Sequence, residues 1–346
     1  MPDSKSRNSK FLFEIRFEKH SFLLIKFRPQ NYKMFFTVRN LSNRTSQVLN
    51  CAFAQCRLLS SIASAKGVPR LIKAIQGSSK EPLTDLQLRL IEDNRFGEDS
   101  WFVSSTPKAE TMGVADGVGG WRKLGIDAGV FARELMSHCS EIAEQAEYDG
   151  LNPRQLLIDS YDRLKNKRPC NVCGSSTACL VTLHRPDCTL HSANLGDSGF
   201  LVLRNGRVLH RSDEQLHCFN TPYQLTVPPH PAMDCVLRDS PEQAVSTHLP
   251  LQPGDLVLLA TDGLFDNVPE SMLINQLRAL QGETRAEYLQ QAANRLVELA
   301  KTLSVSPTFQ SPFALKARAN NVDYGIGGKP DDITVILASL EVPDKQ

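Results

Sequence analysis

The chain has 346 residues, room for one large domain or two ordinary ones, and 41% of them are hydrophobic, enough for a proper core. Its 39 basic and 38 acidic side chains nearly cancel, so no overall field favours nucleic acid or a membrane surface as partner. No apolar run nears the roughly 20 residues of a transmembrane helix, and nine cysteines in no regular framework predict reduced thiols.

Charge is nevertheless uneven along the chain. Residues 19–80 hold eleven Lys and Arg and no Asp or Glu. From Met34 the segment is basic, hydroxylated and acid-free, with an apolar stretch over 48–62 that could form one face of a helix, the composition of a mitochondrial transit peptide. Asp3, Glu14 and Glu18 fit such a peptide poorly, which makes Met34 an alternative start. A disordered basic tail is the plainer reading. On either reading residues 1–80 are expected to lie outside the fold and residues 81–346 to form it, in the mitochondrion or, alternatively, the cytoplasm.

A strand is expected from about Ser100, with Glu98 and Asp99 at its entrance, and another over 112–116. The spacing of Val130, Phe131, Leu135, Met136 and Ile142 predicts a helix within 127–147, and Leu156, Leu157, Tyr161 and Leu164 predict a second. β-type runs follow at 177–183, 189–193, 200–203 and 208–210, the last two joined by Asn205-Gly206 as a hairpin turn. Residues 213–245, rich in Pro, His and turn formers, read as a long loop or flap. A buried strand at 256–260, helices at 270–280 and 286–303 and a last strand at 333–340 complete the chain. Antiparallel runs separated by pairs of helices predict an α+β fold with sheets packed on each other and helices outside.

The chemistry gathers at strand ends. Gly113-Val114-Ala115-Asp116-Gly117 delivers a carboxylate into a glycine-rich turn, and Asp262-Gly263 repeats the pattern after the apolar run 257–260. Alone, an Asp-Gly pair after a strand is usually just a turn. Further acidic turns lie at Glu98-Asp99, at Asp197 and at Asp331-Asp332, each beside an expected strand end, where loops of a rigid sheet can converge. Carboxylates brought together repel one another unless cations offset the charge. With only oxygen ligands on offer, the cations expected are Mg2+ or Mn2+. Two such ions can clamp a phosphoryl group and bring the pKa of a water toward neutrality, which is a hydrolase design.

The set Gly-Glu-Asp-Ser at 97–100, Val-Ala-Asp-Gly at 114–117, Asn-Leu-Gly-Asp-Ser-Gly at 194–199, Ala-Thr-Asp-Gly-Leu-Phe-Asp at 260–266 and Lys-Pro-Asp-Asp-Ile-Thr at 329–334 resembles, in order and spacing, the metal-dependent type 2C serine/threonine protein phosphatases. With the basic leader, the turn at 117–121 and the run at 211–215, the resemblance is nearest to their mitochondrial branch. It implies a four-layer sandwich, two antiparallel β-sheets flanked by α-helices. It also implies hydrolysis of phosphoserine and phosphothreonine in proteins by a hydroxide activated between two Mg2+ or Mn2+ ions. Asp116 would bridge the ions, the Gly117 carbonyl and Asp262 would take one each, Asp331 would complete the second environment, and Asp99 and Glu98 would act directly or through water. Asp197 and Asp266 match positions able to hold a weaker third ion, and no catalytic residue is assigned beyond the metal ligands.

Two positions depart from the family pattern. Val118 stands where many relatives carry a histidine thought to protonate the leaving group, and Arg95 lies one residue nearer the carboxylate pair than the family's phosphate-binding arginine. The missing histidine motivates a second reading, a weakly active phosphatase-like domain that binds phosphoproteins or scaffolds a mitochondrial complex. Cys170 and Cys173 have the spacing of half a zinc or redox site, and His217 and His230 fall in the flap; for all four the structural role is the default.

Overall fold

In the computed structural model, which describes residues 14–18, 22–26, 68–80, 95–166, 172–230, 233 and 236–343, the run Leu256–Ala260 is buried at every position. A strand with no polar face needs cover on both sides. Leu256, Leu258 and Ala260 face helices, while Val257 and Leu259 face a second sheet. The same division runs through the described residues of 68–343 and stacks them as helices, sheet, sheet, helices, the α+β sandwich expected from sequence.

The chain divides into two units, residues 1–56 and 57–346. The first contains a hairpin of β1 (Glu14–Glu18) and β2 (Phe22–Lys26), paired antiparallel with Glu14 opposite Lys26. The second begins with β3 (Arg70–Ser78), β4 (Arg95–Phe96), β5 (Asp99–Ser105) and β6 (Ala109–Asp116), followed by helices α1 (Ala128–Ala143) and α2 (Pro153–Asn166). A run of short strands follows: β7 (Gly174–Ser176), β8 (Ala178–His184), β9 (Thr189–Leu195), β10 (Gly199–Arg204), β11 (Arg207–Arg211), β12 (Leu216–Cys218), β13 (Thr221–Pro222), β14 (Leu225–Val227), β15 (Val245–Pro250) and β16 (Leu256–Ala260). Helices α3 (Asp262–Phe265), α4 (Glu270–Leu277), α5 (Ala286–Ser304) and α6 (Pro312–Ala319) lead to β17 (Ile333–Glu341).

One sheet has the order β11-β10-β16-β17-β3 and the other β15-β9-β8-β6-β5-β4, with every neighbouring pair antiparallel. Asn205 and Gly206 both take positive φ (52° and 71°), the conformation a two-residue hairpin between β10 and β11 demands. Helix α1 starts where Asp127 accepts a hydrogen bond from the Gly129 N–H at 2.9 Å, a cap worth about 1 kcal/mol. It lays Phe131, Leu135 and Met136 with Leu156 and Leu157 of α2 on Phe102 and Leu180 of the six-stranded sheet. On the other side α5 buries Leu289, Ala293, Leu296 and Ala300, a helical stripe, against the five-stranded sheet. Burying one such leucine is worth about 1.5–3 kcal/mol.

Three expectations need correction. The fold does not begin near residue 81: β3 pairs with β17 at nine positions, Arg70 opposite Glu341 to Ser78 opposite Ile333, and buries Leu71, Ala74 and Ile75. Its basic composition hid it within the leader. Residues 213–245 are not a free flap, because β14 pairs with β7, Leu225 is buried, and the Tyr161 hydroxyl donates to the Thr226 carbonyl at 2.7 Å. The interval between 303 and 333, to which no element is assigned from sequence, holds helix α6, which Ser311 caps by accepting from the Ala314 N–H and Pro312 opens. The expected apolar face at 48–62 lies outside the described residues.

Candidate active site

Adjacent strands β5 and β6 place Asp99 directly opposite Asp116 at one end of the six-stranded sheet. At the neighbouring end of the other sheet the backbone of Thr261, just after β16, bonds to Thr334 of β17, which brings Asp262 and Asp331 alongside. Asp197 comes from the turn between β9 and β10. Strand ends of both sheets thus deliver five aspartates to one cluster.

Hydrogen bonds fix Asp116 and Gly117 through the backbone and Asp99 through its side chain. The Asp116 N–H donates to the Thr177 hydroxyl at 3.1 Å and its carbonyl accepts from the Thr177 N–H at 3.0 Å. Gly117 donates its N–H to the Glu98 carbonyl, and a Cβ there would stand 2.5 Å from the Ala128 carbonyl oxygen, so the close approach of α1 requires glycine. Asp99 is fully buried and its Oδ2 accepts from the hydroxyls of Thr261 and Thr334, both at 2.8 Å.

The electrostatics are those of crowded like charges. Burial, then the neighbouring Asp262, Asp99, Asp331 and Asp197, push the Asp116 carboxyl well above the usual range. Burial and Asp332 do the same to Asp99, and burial and Asp262 to Asp197. Among the described residues, Oδ1 of Asp99, of Asp197 and of Asp262 is buried without a hydrogen-bond partner. Orphaned carboxylate oxygens in an oxygen-only setting fit a hard divalent cation such as Mg2+ or Mn2+.

Basic side chains fill the rest of the cluster. Lys329 Nζ lies 2.5 Å from Asp262 Oδ2, 2.9 Å from Asp266 Oδ2 and 3.3 Å from Asp331 Oδ2. Lys80 reaches Asp331 Oδ1 at 2.9 Å, Lys316 reaches Asp266 Oδ1 at 3.3 Å, and Arg122 grips both oxygens of Glu98 at 2.7 and 2.6 Å. Glu98, Asp266 and Asp331, expected as metal ligands, are each engaged in ion pairs. Asp332, part of the expected acidic turn but given no role there, accepts from the N–H groups of Glu98 at 2.9 Å and Lys80 at 2.7 Å and ties β17 to both.

Residues 111–341 match the family model of Stage II sporulation protein E (SpoIIE). The chain is 98% identical over 312 residues, 90% of its length and all of the relative's, to the protein phosphatase PTC7 homolog fig of Drosophila virilis. It is 76% identical over 312 residues, with the same coverage, to that of Drosophila mojavensis. The chain belongs to the PTC7 group of type 2C protein phosphatases. Among solved structures it resembles the photosystem II phosphatase PBCP, at 29% identity and a TM-score of 0.65 over 79% of this chain and 100% of that one. The serine/threonine phosphatase of S. agalactiae, 13% identical with a TM-score of 0.51 over 79% and 100%, shares the fold.

In this PTC7-type phosphatase Val118 is half-buried beside the aspartates and donates its N–H to the Ser175 carbonyl at 3.0 Å. Arg95 opens β4 opposite Ser100, and its side chain lies outside the described residues. So does Cys170, and with it the Cys170/Cys173 pair. Cys179 is a core thiol between the sheets, and burial pushes its pKa up. His217 is structural: it bonds Asp239 at 2.9 Å and stacks on Tyr223. A groove of about 430 Å³ opens beside Asp266, lined among others by Arg211, Glu214, Phe265, Glu270, Pro312 and Lys316. Ionic and aromatic contacts shape its wall, with Arg211 over the Phe265 ring at 5.0 Å and paired with Glu270 at 3.2 Å.

Proposed function

We propose that the phosphatase removes phosphate from phosphoserine and phosphothreonine in proteins with a pair of Mg2+ or Mn2+ ions. Asp116, the Gly117 carbonyl, Asp99 and Oδ1 of Asp262 would hold the ions, with Asp331 beside them. The observation that carries this reading is the trio of buried carboxylate oxygens on Asp99, Asp197 and Asp262 that have no hydrogen-bond partner among the described residues. Ions bound there supply Lewis acidity toward the phosphoryl oxygens and a water acidified toward neutrality.

The chain's own residues do the positioning. Thr261 and Thr334 turn Asp99 so that its second oxygen stays available, and Thr177 fixes the backbone of Asp116. Val118 carries no proton to give, so protonation of the leaving alkoxide falls to another donor. The groove beside Asp266 would receive the polypeptide flanking the phosphorylated residue. A pure phosphoprotein-binding domain has no need of the orphaned oxygens, which weighs against the scaffold reading.

Phosphate release from a phosphopeptide, measured with Mn2+, with EDTA and for Asp262→Asn, tests the proposal. Activity should need the metal and fall about 100-fold or more in the variant. Activity that survives both treatments would end the two-metal reading.

The basic, acid-free run ahead of β3 supports a mitochondrial address. Residues 1–67 fused to a fluorescent reporter should carry it into mitochondria, and a diffuse cytosolic signal would refute the assignment.

A further inference from the structure

Lys329 is held more firmly than a surface lysine. Its N–H donates to Asn267 Oδ1 and its carbonyl accepts from Asn267 Nδ2, both at 2.8 Å, and Asn267 is itself fully buried with a further bond to the Gly263 carbonyl at 2.9 Å. The side chain then crosses Phe313, Nζ lying 5.0 Å from the ring centroid, and ends among Asp262, Asp266 and Asp331. An ammonium has three donors and no acceptor, and three carboxylates surround this one. Burying it there is tolerable because the partners are charged and close.

The pairing divides the cluster. Both oxygens of Asp266 are engaged, one by Lys329 and one by Lys316, which Glu214 holds in turn at 2.6 Å. Asp262 gives Oδ2 to Lys329, while its Oδ1, like Oδ1 of Asp99 and of Asp197, has no hydrogen-bond partner among the described residues. We infer that the Lys329 ammonium is a built-in cation of the centre, which holds Asp262 and Asp331 in place, closes Asp266 to metal and limits the centre to two divalent ions. Lys329 is thus a positioning residue, and Asp266 is its partner rather than a metal ligand. This inference rests on the two-metal reading above.

Counting bound ions tests it without reference to turnover. Mn2+ is titrated into the full chain while the sharp electron paramagnetic resonance signal of free Mn2+ is followed, with circular dichroism as the check on folding. The wild type should take up about two ions, Lys329→Met a weaker third, and Lys329→Met combined with Asp266→Ala about two again. Asp266→Ala alone should leave the count unchanged, a result that stands even if Lys329→Met does not fold. A wild type that binds a third ion, a folded Lys329→Met that stays at two, or a count lowered by Asp266→Ala would overturn the assignment of Lys329. A wild type that binds no Mn2+ would instead overturn the metal reading beneath it.

Discussion

The hydroxyl of Thr334 on β17 donates to Oδ2 of Asp99 on β5 at 2.8 Å, a hydrogen bond that crosses from one sheet of the sandwich to the other. Both residues are fully buried, so loss of the donor cannot be made good by water. Thr334→Val keeps the shape and removes the hydroxyl. Leaving a buried acceptor without its donor costs about 1–3 kcal/mol, and urea unfolding of the metal-free variant should show a loss of that size with an unchanged slope. A loss below about 0.5 kcal/mol would place Thr334 among ordinary positions.

Stability of the metal-free protein should fall as pH rises. Asp99, Asp116 and Asp197 are all held above their ordinary range, by burial first and then by one another and their acidic neighbours. Between the unfolded value near 3.9 and the raised folded values, the folded state binds more protons than the unfolded chain, so each step up in pH removes stability until the folded groups have ionised. Melting temperatures in EDTA from pH 5 to 8 should therefore decline, and the gain on adding Mn2+ should grow over the same range. A melting temperature in EDTA that climbs with pH would contradict the crowding argument.

Removal of β3 should ruin the fold. A chain cut at residue 81 loses nine paired positions on β17, the buried Leu71, Ala74 and Ile75, and Lys80 with its bonds to Asp331 and Asp332. It leaves a long apolar strand edge open to other chains. Residues 68–346 should be soluble and cooperative in thermal melts, residues 81–346 aggregated; equal behaviour would show that β3 is dispensable.

Val118 should leave its mark on leaving-group dependence. General acid catalysis is typically worth about 10²- to 10⁴-fold and levels the difference between good and poor leaving groups. Across aryl phosphates of rising phenol pKa, kcat should drop steeply for the wild type and less steeply for Val118→His. Identical slopes would show that another group already supplies the proton.

What was legible in the sequence, and what was not, follows from the range of each interaction. The strands ending at Asp116 and Asp262 could be read because an apolar run and its Asp-Gly turn are local. Strand β15 is largely exposed and weakly patterned, so it has no sequence signal of its own. β3 carries a usable signal, buried Leu71, Ala74 and Ile75 among partly exposed Lys73 and Arg70, but the basic surroundings outweighed it. Helix α6 has a local signal in Ser311 and Pro312, a cap and first-turn pair, but it is only eight residues long. The ion pairs of Lys329 and Arg122 left no sequence signal, because partners 63 and 24 residues away are chosen by the fold alone.

The bonds from Thr261 and Thr334 to Asp99 join residues 162 and 235 positions apart in the chain. Contacts of such separation close late and slowly in folding. A refolding chain can therefore regain its helices and most of its hairpins while still silent toward substrate, and the return of hydrolysis would time the moment at which the two sheets dock.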